Sequence, residues 1–151
     1  ANLARDPKGG DTDQLMGAAA GECAIAISNQ YYFVRLMRSG KADERKASDQ
    51  LGVVLPNQDN RGTHMNISGG GMLKHAPHKD AARMFLEYLA SDEAQSYFAN
   101  GNNEWPVVPG VKLDNRELEA LGKFKTDAIN VSQLGVNQAA AQRISDRAGY
   151  K

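Results

Sequence analysis

The sequence has little of several features that would narrow its chemistry. Cys23 is the single cysteine among 151 residues, so no internal disulfide can form and no zinc site built from several cysteines is possible. Lysine plus arginine and aspartate plus glutamate number 18 each, which gives a formal net charge of zero. Because no excess of one charge and no long single-sign run occurs, we expect neither nucleic acid nor an acidic membrane surface as the main partner.

Long apolar runs and enzyme motifs are also absent from the sequence. No stretch approaches the length of a membrane-spanning helix, so we expect a chain that does not span a membrane. The first residues form no signal-peptide pattern, although a signal removed by processing would leave no trace. Nucleophile-elbow, phosphate-loop and zinc-protease motifs do not occur either, and we therefore predict that the chain is not an enzyme.

Short apolar stretches alternate with amphipathic segments along the chain. Strands are predicted at residues 24–27, 52–55 and 63–67. Helices are predicted at residues 13–20, with Thr12 as the cap, and at 30–37, 78–89, 92–99, 114–124 and 133–147. The alternation is typical of the α/β class, in which helices cover the faces of a sheet.

The most informative short feature is the pair Tyr31-Tyr32, directly after the predicted strand at residues 24–27. Ser28 and Asn29 are good N-cap residues, so both tyrosines fall in the first turn of the next helix. Two phenols at such a corner can converge on one point. Phenolate is a hard anionic oxygen that suits a hard cation such as Fe(III), and the helix dipole favours the ionised form. Residue type alone leaves open that the pair only packs against the sheet.

Several segments, in this order, resemble the periplasmic ferric-iron-binding proteins of ABC importers, a group of type II periplasmic binding proteins. The segments are residues 10–14, 18–22, 28–32, 63–71, 81–95 and 102–107. The resemblance implies a two-lobe α/β fold, of which this chain would be a C-terminal fragment with most of the C-terminal lobe and part of the N-terminal lobe. It assigns residues 1–64 and 114–151 to the C-terminal lobe, and residues 65–113 to a crossing strand and a segment of the N-terminal lobe.

The resemblance implies a function as well as a fold. It carries Tyr31 and Tyr32 over as Fe(III) ligands and implies capture of ferric iron in the periplasm for an inner-membrane ABC permease. The remaining ligands would come from the missing N-terminal half of the same protein. Two alternatives stay open. One is a protein of the same fold that binds a polyamine, thiamine or a sugar phosphate, and the other is an interaction domain without a small ligand.

The resemblance also bears on an accompanying anion. Asn29 matches a position that, in some members, hydrogen-bonds a synergistic anion such as carbonate, although it could simply cap the helix. Asp11 stands where anion-using members carry asparagine, and its carboxylate would repel an anion. The sequence therefore leans toward iron binding without an anion requirement. Thr12 and Arg35 lie near enough in sequence to belong to the surroundings of the iron.

Overall fold

A computed structural model describes residues 3–6 and 8–150 of the chain. Within these residues the chain forms seven helices, and the single β-bridge is a parallel pairing of Thr63 with Thr126. The helices are α1 (Asp11–Ala19), α2 (Gln30–Met37), α3 (Ala42–Ser48), α4 (Lys79–Leu89), α5 (Asp92–Asn102), α6 (Arg116–Glu119) and α7 (Ser132–Arg147). None of them is long and apolar enough to cross a membrane.

The chain divides into two compact units. One comprises the described residues of Ala1–Pro7, Val54–Met65 and Phe124–Lys151, and the other comprises Lys8–Val53 and Asn66–Lys123. Helices α1 to α6 therefore belong to the second unit, and α7 belongs to the first. The assignment of residues 1–64, 65–113 and 114–151 to the lobes of a longer protein stays a prediction.

Helix α2 lies among the other helices of the second unit and packs against α1, α3 and α6. It contains neither glycine nor proline, and its observed bounds agree with the prediction for residues 30–37. Val34 is fully buried and Leu36 is 1% exposed. Since each residue turns the helix by about 100°, these two side chains bury nearly opposite faces. Burial of each stabilises the fold by roughly 1.5–3 kcal/mol.

A buried polar junction at Asn103 ties both ends of α2 to the end of α5. Asn103 ends α5 in the left-handed conformation, with φ of 64°, and is 5% exposed. Its backbone carbonyl accepts a 2.6 Å hydrogen bond from Gln30 at the start of α2, and its side-chain oxygen accepts one from Arg38, just after that helix. Asn115 Nδ2 donates to the same side-chain oxygen at 3.0 Å. The junction therefore fixes the helix that carries the two tyrosines.

All six predicted helices occur, with shifted boundaries except for α2, whereas α3 was not predicted. Helices α4, α5 and α7 lie within three residues of the predicted bounds, whereas the predicted helix at 114–124 shortens to four residues. The prediction that Thr12 caps α1 was wrong, because the helix already begins at Asp11. The carboxylate of Asp13 instead accepts a 2.7 Å hydrogen bond from the backbone N–H of Gly10, the residue before the helix. A side chain in the first turn thus replaces the predicted cap.

The predicted strands are the part of the sequence-based fold that the structure corrects. Residues 24–27 and 52–55 pair with no other segment among the residues described. Ile25 and Ile27 would be buried in a strand covered by helices, but they are 83% and 93% exposed. The third predicted strand pairs only through the bridge at Thr63. A strand requires a partner that supplies hydrogen bonds, and apolar composition does not reveal whether that partner is present.

Replacing Asn103 by alanine should cost more stability than the same change at Asn57. Asn57 has nearly the same φ, 62°, but it is only half-buried and accepts hydrogen bonds with its backbone carbonyl. We expect Asn57→Ala to lower the free energy of unfolding by about 1 kcal/mol through backbone strain alone. Loss of the buried hydrogen bonds should raise the cost of Asn103→Ala to about 2–4 kcal/mol. Urea unfolding of the full-length variants measures both values, and equal losses would contradict the role of the junction.

Candidate metal centre

Tyr31 and Tyr32 lie side by side in the first turn of α2, where the sequence predicted them. Their ring centroids are 4.3 Å apart, and the ring planes are tilted by 34°. Both side chains are half-buried, so the pair is neither sealed in the core nor fully solvated. The first turn therefore brings together two oxygen donors of the kind that suits a hard cation.

The phenol of Tyr31 strongly favours its protonated form when no metal is bound. Its pKa is raised from 10.0 to about 12, first by hydrogen bonding to the Tyr32 hydroxyl and then by burial. The negative charges of ionised Tyr32, Asp11 and Glu104 act in the same direction with smaller effects. A phenolate at Tyr31 is therefore unfavourable unless a cation compensates its charge.

Arg35 lies over the ring of Tyr32. Its guanidinium carbon is 4.9 Å from the ring centroid, which is a cation–π distance. The sequence placed Arg35 near the site by proximity alone, and the helix brings it there because residues three apart share one face. The arginine is exposed, so solvent and salt screen its charge. Its contact with Tyr32 still places a positive group beside one of the two phenols.

Ser28 and Asn29 form the corner directly before the tyrosines, and hydrogen bonds to Asp11 hold it in place. Asp11 lies 18 residues before Asn29 in the sequence. One carboxylate oxygen of Asp11, Oδ2, accepts hydrogen bonds from the backbone N–H of Asn29 at 2.8 Å and from its Nδ2 at 3.0 Å. The hydroxyl of Ser28 lies 3.2 Å from the same oxygen and 3.0 Å from the Asn29 carbonyl, so its single hydrogen is shared between two acceptors. A residue of α1 thus fixes the backbone that enters α2.

The side chain of Asn29 is engaged at both ends. Its Nδ2 donates to Asp11, and its Oδ1 accepts a 2.8 Å hydrogen bond from Nδ2 of Asn66. Asn29 occupies the N-cap position of α2, but its side chain does not cap the helix. The expected capping bond is lost because tertiary partners take the amide. Thr12 follows Asp11 in α1 and, in the part of the chain that the structure describes, makes no side-chain hydrogen bond to this corner.

Other metal-ligating groups do not gather around a common point in the described ranges. Residues 3–6 and 8–150 contain no group of three or more histidine, cysteine, aspartate or glutamate side chains that could hold a metal ion. Sequence reasoning missed Asn66, which completes the hold on Asn29, and Glu104, whose charge acts on Tyr31. Neither is linked to the tyrosines by a local spacing rule, so only the folded chain reveals them.

The chain resembles known proteins over nearly all of its length. A family model described as bacterial extracellular solute-binding protein matches residues 8–126. Iron uptake protein A2 of Synechocystis is 47% identical across 99% of this chain and 44% of its own length. A Trichodesmium protein solved in complex with iron and citrate is 49% identical, with a TM-score of 0.91 over 99% of this chain and 47% of that one. The ferric binding protein of Campylobacter jejuni gives 41% identity and a TM-score of 0.93 over 99% and 47%.

These similarities confirm the predicted fold class, the two-lobe α/β architecture of periplasmic binding proteins. The chain spans less than half the length of the relatives just described. The names of these relatives refer to iron and name no residue that binds it.

The pKa of Tyr31 should fall toward its ordinary value when Tyr32 is replaced by phenylalanine. The hydrogen bond between the two hydroxyls is the largest cause of the raised pKa, and Tyr32→Phe removes it together with the phenolate charge. Ultraviolet absorbance of phenolate, followed as the pH of the metal-free protein rises, measures the change. Tyr97→Phe is the matched control, since Tyr97 is 69% exposed on α5. A Tyr31 pKa that stays near 12 in Tyr32→Phe would contradict this assignment.

Proposed function

We propose that the chain, which belongs to the bacterial extracellular solute-binding protein family, forms part of a periplasmic ferric-iron-binding protein. In this proposal Tyr31 and Tyr32 bind Fe(III), and the loaded protein delivers it to an inner-membrane ABC permease. The pairing of two phenols in the first turn of α2 carries the proposal. Relatives named for iron uptake or ferric binding, one of them solved with iron and citrate, support the choice of ion. The iron is cargo, and no catalytic step is proposed.

The charge of the ion is central to the proposed chemistry. Each phenol must lose its proton to become a ligand, and the raised pKa of Tyr31 opposes that loss. Fe(III) compensates two phenolate charges better than Fe(II), because anionic hard donors favour the higher charge. The pair should therefore bind Fe(III) in preference to Fe(II).

Two tyrosines leave other coordination positions to be filled. We propose that residues outside this chain, water or a small anion fill them, as the length of the relatives allows. The amide of Asn29 is a poor site for such an anion, because the carboxylate of Asp11 lies 3.0 Å from its Nδ2 and would repel a second negative group. Any accompanying anion should therefore contact the iron without relying on Asn29. The contacts of Asn29 therefore favour iron binding without an anion at that residue.

In the full-length protein, Tyr31→Phe and Tyr32→Phe should each weaken the visible phenolate-to-iron charge-transfer band. Each change should also lower the affinity for Fe(III) by more than about tenfold, since even outer residues of a metal site contribute about 10–100-fold. Tyr97→Phe makes the same chemical change at an exposed position and should leave both quantities unchanged. Absorption during titration with ferric citrate measures the band and the affinity.

Two outcomes of this titration would count against the proposal. Unchanged band and affinity in both single variants would remove Tyr31 and Tyr32 from the coordination sphere. A colourless wild-type protein that retains no iron, but gains thermal stability from spermidine, would favour the organic-ligand alternative.

The affinity for Fe(III) should fall as the pH is lowered from 8 to 6. The phenol of free tyrosine loses its proton only near pH 10, and the pKa of Tyr31 is raised further, so iron that binds both phenol oxygens must displace two protons. The affinity should then change by about a hundredfold for each pH unit through this pair. Competition with a chelator, corrected for protonation of the chelator and hydrolysis of the ion, gives the slope. Tyr31→Phe should reduce the dependence to about tenfold per unit, and an unchanged slope would contradict displacement of a proton from Tyr31.

A further inference from the structure

We infer that Asp11 is a positioning residue for the tyrosine pair, an inference that rests on the proposed function. Its carboxylate fixes the backbone from which α2 begins, and so sets where Tyr31 and Tyr32 stand. Asp11 does this from a different helix, because it is the first residue of α1. The inference assigns to Asp11 a role in geometry, in contrast to the repulsion of an anion expected from the sequence.

The hydrogen bonds of Asp11 act on backbone as well as on side chains. The 2.8 Å bond from the N–H of Asn29 holds the peptide two residues before Tyr31, and Asn29 has the extended conformation of an N-cap, with φ of −69° and ψ of 138°. The 3.0 Å bond from Asn29 Nδ2 holds the same residue a second time. Rotation of this peptide would change the direction in which the first turn of α2 leaves the corner.

The neighbouring residues are tied as well. Gln30, which follows Asn29, donates to the backbone carbonyl of Asn103 at 2.6 Å. Asn66 donates to the far end of the Asn29 amide at 2.8 Å. The two residues that precede the tyrosine pair are therefore each held by hydrogen bonds to distant parts of the second unit. Within this set, Asp11 is the residue that bonds both the backbone and the side chain of Asn29.

The geometric role of Asp11 can be separated from an effect of its charge, because the hydrogen bonds that it accepts from Ser28 and Asn29 all end on Oδ2. An asparagine at position 11 can place its amide oxygen where Asp11 Oδ2 lies and keep an acceptor for Asn29, but it has no charge. A glutamate keeps the charge but moves the carboxylate by one methylene. Positioning therefore predicts that Asp11→Asn is tolerated and Asp11→Glu is not, whereas an effect of charge alone predicts the reverse.

The test compares Asp11→Asn, Asp11→Glu and Asp11→Ala in the full-length protein. Loaded with Fe(III), the Asn variant should keep the wild-type visible band and lose iron to a competing chelator within about threefold of the wild-type rate. The Glu and Ala variants should shift or weaken the band and lose iron more than about tenfold faster. Asp13→Ala is the control, since Asp13 is an exposed acid in the same turn of α1 that bonds Gly10 instead.

A wild-type band in Asp11→Glu together with an altered band in Asp11→Asn would overturn the inference and leave charge as the role of Asp11. Wild-type behaviour of all three variants would overturn it as well. Should Asp11→Ala fail to fold, the comparison of the Asn and Glu variants still decides between geometry and charge.

A readout without metal separates this inference from the proposed function. The rings of Tyr31 and Tyr32 are close enough, at 4.3 Å, to give a coupled near-ultraviolet circular dichroism signal. In the metal-free protein this signal should be lost in Asp11→Glu and Asp11→Ala and kept in Asp11→Asn and Asp13→Ala. A colourless wild type would overturn the proposed function only, whereas an unchanged dichroism signal in the Glu and Ala variants would overturn the positioning role.

Discussion

The burial of α2 on two opposite faces is the constraint on which the rest of the site depends. With Val34 and Leu36 out of solvent, the helix cannot rotate without exposing one of them. The axis and rotation of the first turn are thereby set by the core of the second unit. Hydrogen bonds at Asp11 and Asn103 then determine how the backbone enters that turn. The position of the two phenols follows from apolar packing first and polar contacts second.

The local sequence was sufficient to predict α2, but it did not predict the contacts around the first turn of that helix. The run without glycine or proline, preceded by cap-forming residues, predicted the helix and the place of both tyrosines in its first turn. The contacts of Asn29 with Asp11 and Asn66 span 18 and 37 residues, and no periodicity connects such positions. The predicted capping hydrogen bond of Asn29 does not form, because these distant partners engage its side chain. The predicted strand at residues 24–27 also depended on a distant partner, and without one Ile25 and Ile27 are exposed.

The charged groups around Tyr31 and Tyr32 fit a site that binds a cation of high charge in preference to one of lower charge. Asp11 and Glu104 oppose ionisation of Tyr31, as does the neighbouring phenol. Arg35 places a positive group over the ring of Tyr32, but it is exposed and solvent screens its charge. Tyr31 therefore keeps its proton at physiological pH in the metal-free protein, and it becomes a ligand only when a cation compensates the charge of its phenolate. In the proposed function, the same two phenols account for retention of Fe(III) and for its release when protons compete with the ion for the phenol oxygens.

The most direct test of the central claim is an iron-loaded crystal structure of the full-length protein, with the ion located by anomalous scattering at the iron edge. We expect one iron peak within bonding distance of the phenol oxygens of both Tyr31 and Tyr32, with Asp11 still bonded to Asn29. An iron peak bound elsewhere, with both phenols free of metal, would contradict it and leave the tyrosines as a packing pair.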